Sequence, residues 1–126
     1  GRVKISKPVA RAVVGLPYVS EAQTLRIEAG AADGTAQGKT KRIHEMTIRL
    51  LNTGGGRYGP LLPGRQMDSL LLRPGSAPMG QPAPLFTGDK TVTWPQGYDK
   101  DAYVGFEVDQ PVAATLVAFM PKMVTA

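Results

Sequence analysis

The stretch KRIHEMTIRLLN, residues 41–52, decides the fold because it carries two periodicities at once. Ile43, Met46, Leu50 and Leu51 fall at helical spacing, whereas His44, Met46, Ile48 and Leu50 alternate as strand residues do. The β-branched side chains of Ile43, Thr47 and Ile48 favour the strand, since branching at Cβ restricts χ1 in a helix and packs well on a pleated surface. A helix here would also be isolated among strands. The stretch is therefore expected to be a strand, and the run Asn52-Thr53-Gly54-Gly55-Gly56 after it a flexible loop, because consecutive glycines cost entropy in any ordered element.

The surrounding sequence supports that choice. Fifteen glycines and eleven prolines in 126 residues punctuate the chain too densely for long helices. Between them lie short alternating runs. In Thr24-Leu25-Arg26-Ile27-Glu28, Leu25 and Ile27 share one face. Over residues 102–108, Ala102, Val104, Phe106 and Val108 face one way and Tyr103, Gly105 and Glu107 the other. Residues 9–14, 67–72, 91–94 and 112–120 are further strand candidates, the last apolar enough for the centre of a packed pair of sheets. The expected fold is all-β, an antiparallel β-sandwich or jelly-roll-like domain with long Gly/Pro-rich loops. It comprises a single domain over residues 1–126, with residues 74–84 as an internal Pro/Gly-rich excursion that either serves a partner or merely connects two strands.

Composition narrows the chemistry. No cysteine is present, which rules out disulfides and thiolate metal sites. The longest apolar run, residues 112–120, is too short to span a bilayer as a helix. The chain starts at Gly1 without an initiator methionine or a signal-peptide pattern, and is expected to be a piece of a longer protein. Fifteen basic and ten acidic residues leave a net charge of +5, which permits attraction to polyanions, but only Lys39, Lys41 and Arg42 cluster.

Three motifs invite a chemical reading. Gly34-Thr35-Ala36-Gln37-Gly38-Lys39-Thr40 resembles a phosphate-binding loop, but its first glycine stands one residue too close to Gly-Lys-Thr. The proper position holds Asp33, whose carboxylate repels an anion. His44 is the single histidine, so any nucleophile triad would have to be built on it; a hydrogen-bonded or partly exposed structural role fits better. The carboxylates of Asp99, Asp101, Glu107 and Asp109 lack the spacing and sharp-turn glycine of a calcium loop. Gln96-Gly97-Tyr98-Asp99-Lys100-Asp101 reads instead as a turn entering a strand, its aspartates capping backbone N–H groups. Trp94, before Pro95, reads as a core-edge anchor. No catalytic residue, cofactor site or metal site is expected.

Together the strings VVGLPYVSEAQTLRIE, DGTAQGKTKRIHEMTIRLLNTGGGRYGP and LFTGDKTVTWPQGYDKDAYVGFEVDQPVAATLVAFMPKM resemble the C-terminal portion of a tail nozzle or tail tubular protein, also called a packaged-DNA stabilisation protein, of tailed double-stranded DNA bacteriophages and prophages. Four motifs of that family recur in order at residues 14–18, 34–43, 97–101 and 109–112. The resemblance implies a non-enzymatic virion tail component, made in the bacterial host cytoplasm. Its parent protein would be a homo-oligomer forming a ring around the DNA exit channel, next to other tail proteins and close to DNA. Gly34 and Gly38 would then serve backbone geometry, and Gly34, Gln37, Gly38, Lys39, Lys41 and Arg42 would contact a neighbouring subunit. The alternative is a basic nucleic-acid-binding module using Lys39, Lys41 and Arg42.

Overall fold

The computed structural model describes residues 2–16, 18–28, 34–64 and 66–126; Gly1, Pro17 and Asp33, named above, lie outside them. Seven strands follow in order: β1 (Ser20–Gln23), β2 (Lys41–Thr53), β3 (Arg57–Gly59), β4 (Asp68–Ser69), β5 (Phe86–Thr93), β6 (Gly105–Val108) and β7 (Leu116–Thr125). They form two antiparallel sheets, one ordered β1-β6-β3-β4 and the other β5-β2-β7. The fold is all-β, as the density of chain reversals requires, and no helix occurs among the described residues.

The central strand β2 explains its own ambiguous sequence. Ile43 pairs with Met123 of β7 but Glu45 pairs with Lys122, so His44 is an extra residue, a β-bulge. Burial accordingly falls on Lys41 and Ile43 before the bulge and on Met46, Ile48 and Leu50 after it. A second irregularity, against β5, lies between Leu50 and Thr53, where Asn52 adopts a positive φ of 45° and Thr53 returns to the interior. Each irregularity stretches a two-residue repeat to three. The apparent helical spacing is thus a strand interrupted twice.

The inward side chains of β2 pack against Tyr58, Leu70, Leu72, Trp94, Ala102, Val104 and Phe106. Each large apolar side chain so buried contributes about 1.5–3 kcal/mol before entropic costs. Trp94 stacks at a tilt on Tyr58, ring centroids 6.1 Å apart, and closes one end of this core. The opposite face of the three-stranded sheet mixes exposed Met120 and Val124 with polar pairs. Thr47 and Thr91 hydroxyls meet at 3.0 Å, Arg49 donates two bonds of 2.7 and 2.8 Å to Asp89, and Lys122 pairs with Glu45.

Close strand approach in the other sheet depends on glycine. Gly59 and Gly105 are direct partners, and a Cβ on Gly105 would lie 2.5 Å from Leu61 Cγ and 2.8 Å from the Gly59 carbonyl oxygen.

Several expected strands shift. Residues 9–14 form no strand: they are exposed and pair with nothing that would hold them extended. The Leu25/Ile27 pattern follows β1 instead of forming it, and Leu25 is 88% exposed while Ile27 packs on the core. The 67–72 run pairs only at Asp68 and Ser69, although Leu70 and Leu72 are buried and Leu71 is exposed, as alternation requires. Asn52 and Thr53 belong to β2 and not to the glycine loop. The 112–120 run becomes β7, displaced toward the C-terminus and lying at a sheet edge instead of the centre. Pro121 sits within β7 opposite Met46, a place proline tolerates only because an edge strand has a free side for its nitrogen.

Candidate functional site

The segment at residues 34–42 is built as a corner against the turn at 94–101. Gly34 and Gly38 have φ of 109° and 81°, values that side-chain-bearing residues rarely adopt, so both glycines serve the backbone path. The carboxylate of Glu28 accepts the Thr35 hydroxyl and the Ala36 N–H, each at 2.7 Å. These bonds, the Thr35 one foremost, hold Glu28 below its ordinary pKa. The Lys39 N–H donates to Ala36 O at 3.3 Å and closes the turn. From Gly-Lys-Thr the chain enters β2 directly, so no helix N-terminus exists there to complete a phosphate loop.

Lys41 then leaves the surface. It is 1% exposed, and its Nζ donates to the Lys100 carbonyl at 2.9 Å. Its backbone exchanges two 2.7 Å bonds with Asp99. Lys41 is therefore not the surface contact its sequence neighbours suggest: a long stem can be buried when the ammonium finds an acceptor at its tip. Arg42, on the opposite side of the strand, is exposed and lies 5.7 Å from the centre of the Tyr98 ring. Gln37 and Gly38 are exposed and Lys39 is half-buried.

The turn itself is capped by Asp99 as foretold, whereas the Asp101 carboxylate turns to Arg26. Asp99 Oδ1 accepts the Asp101 N–H at 3.1 Å, its other oxygen pairs with Gln96, and Gln96 accepts the Trp94 indole N–H at 3.3 Å. Trp94 is 4% exposed, at the end of the core. Three of the four carboxylates weighed for calcium have protein partners: Asp99 within the turn, Asp101 with Arg26 at 2.9 Å and Glu107 with Arg57 at 3.2 Å, while Asp109 is exposed. His44 is exposed at the bulge.

A second corner forms where Gly15, Leu16 and Tyr18 line a cleft of about 110 Å³ with Asp109, Gln110 and Pro111. A third, of about 380 Å³, is floored by Gly54, Gly55 and Gly56 beside Arg57, Ser69 and Asp109. Sequence reading missed Glu28, seven residues before Thr35, and also Tyr98 and Lys100, whose pairing with Arg42 and Lys41 is long-range and leaves no mark in local spacing.

The chain matches no protein-family model and no curated protein.

Proposed function

We propose that this chain is a non-catalytic structural component of a phage or prophage tail, a nozzle or tubular protein's C-terminal domain that acts by subunit packing around the DNA exit channel. One observation carries the reading. The four motifs on which the sequence resemblance rests meet in pairs: residues 34–43 join 97–101 through Lys41, Asp99, Arg42 and Tyr98, and Gly15, Leu16 and Tyr18 share a cleft with Asp109, Gln110 and Pro111. Such corners are shape elements. The first presents Gln37, Arg42 and Tyr98, and arginine and tyrosine are side chains that protein interfaces favour.

The nucleic-acid alternative is the weaker reading, since its middle residue Lys41 is buried and bonded to Lys100. Mass spectrometry of purified particles from a host carrying the gene tests the proposal. The expected result is peptides of this chain in amounts comparable with other tail proteins, and a sharp drop when Arg42 and Tyr98 are both replaced by alanine. Particles that lack the chain altogether would refute it. DNA retention that weakens steeply with salt in the isolated chain would favour the alternative.

A further inference from the structure

The described residues from 2 to 19 are all exposed and belong to no strand. They nevertheless carry large apolar side chains: Val3, Ile5, Val9, Val13, Leu16 and Tyr18 are each at least 50% exposed. A soluble chain does not leave so many in water without a reason. The whole chain exposes 8770 Å², whereas a compact protein of its 13.4 kDa mass exposes about 6,500 Å². The excess of about 2,300 Å² is more than twice the roughly 800 Å² that one partner buries in a standard interface. It suffices for a donated segment and a surface that receives one.

Charge identifies what could cover it. Arg2, Lys4, Lys7 and Arg11 lie in this arm, and no acidic residue precedes Glu21. The edge strand β1 is exposed along its whole length; Glu21 within it and Asp109, just past the end of its neighbour β6, are exposed without an ion pair among the described residues. An open strand edge also offers unpaired backbone groups to an added segment. One chain thus holds both complementary parts, a basic apolar arm and an acidic open edge. Nucleic acid would meet the charge of the arm but not its apolar side chains.

We propose that residues 2–19 are an exchange arm, laid along the β1 edge of a second copy of this chain. This rests on the subunit-packing reading and specifies which surfaces pack. Exchange in both directions closes a dimer, and passing each arm to the next copy builds a ring.

The test is light scattering and sedimentation of the full chain against a variant lacking residues 2–16, from low to high micromolar concentration. The variant should keep a cooperative melting transition, because the arm makes no strand pair, at a temperature below the parent's by what association adds. The parent is expected at a multiple of 13.4 kDa and the variant at a single chain mass. Glu21→Lys should weaken association about twofold to fivefold, as loss of an exposed ion pair does. A parent that stays monomeric throughout overturns the arm. So does a variant that associates as well as the parent, an outcome that leaves subunit packing intact. Loss of duplex-DNA retention on deletion, with the association state unchanged, overturns it in favour of nucleic acid. Arm-dependent association in a chain that never enters tail particles sustains the arm and removes the tail reading.

Discussion

The ammonium of Lys41 donates to the main-chain carbonyl of Lys100 across 2.9 Å, with the lysine 1% exposed. A cation that sequence position would put at the surface is therefore a strut between β2 and the turn before β6. Lys41→Ala should cost about 2–4 kcal/mol, from the emptied volume and the carbonyl left unmatched. Arg42→Ala should cost about 0.5–1 kcal/mol, the scale of an exposed cation–π contact. Urea midpoints of the two variants check both values, and an unchanged midpoint for Lys41→Ala would contradict the strut.

Two glycines should respond in opposite ways. Gly105→Ala places a methyl group 2.8 Å from the Gly59 carbonyl oxygen and 2.5 Å from Leu61 Cγ, and should destabilise by about 1–3 kcal/mol. At Gly97 a Cβ meets nothing within 4 Å. Gly97→Ala should be neutral or stabilise by up to about 1 kcal/mol through the unfolded chain. Thermal melts of the pair separate these outcomes.

Deleting His44 should be tolerated, whereas deleting Thr47 should not. Removal of the bulge residue leaves Ile43, Met46, Ile48 and Leu50 in simple alternation on the inner face. Removal of Thr47 puts the two halves of β2 on opposite faces, exposing one apolar set. Circular dichroism should show a cooperative β-sheet transition for the first variant and none for the second.

Acid should loosen the fold through three carboxylates. Hydrogen bonds from Thr35, Lys122 and Arg49 hold Glu28, Glu45 and Asp89, respectively, below their ordinary values. A depressed folded pKa gives stability that is present above the unfolded value and lost as pH falls through the folded one. The melting temperature should hold from neutral pH to the ordinary values of 4.5 and 3.8, and decline below them. Asp89→Asn should flatten part of that decline.

The all-β class was legible from turn density and alternation because both are local properties. Positions 104 and 106 went inward as their spacing foretold, and so did Leu70 and Leu72. The exposed arm was misread at residues 9–14 because β-branched side chains favour extension whether or not a neighbouring strand is there to pair. The helical echo in residues 41–52 could not be resolved locally, since the extra residue at His44 is defined only against β7. Of the candidate contacts, the two glycines were legible from type alone. The burial of Lys41 was not, because its acceptor lies 59 positions away.

Pro121 brings one consequence for unwanted contacts between copies. The Trp94 N–H donates to His44 O, so by alternation Met46 directs its ladder groups toward β5, and the proline nitrogen opposite it points off the free rim of β7. That rim lacks a donor halfway along its length, and a foreign chain seeking to stack there meets a gap. Crowded copies can then gather without zipping into fibres from this side.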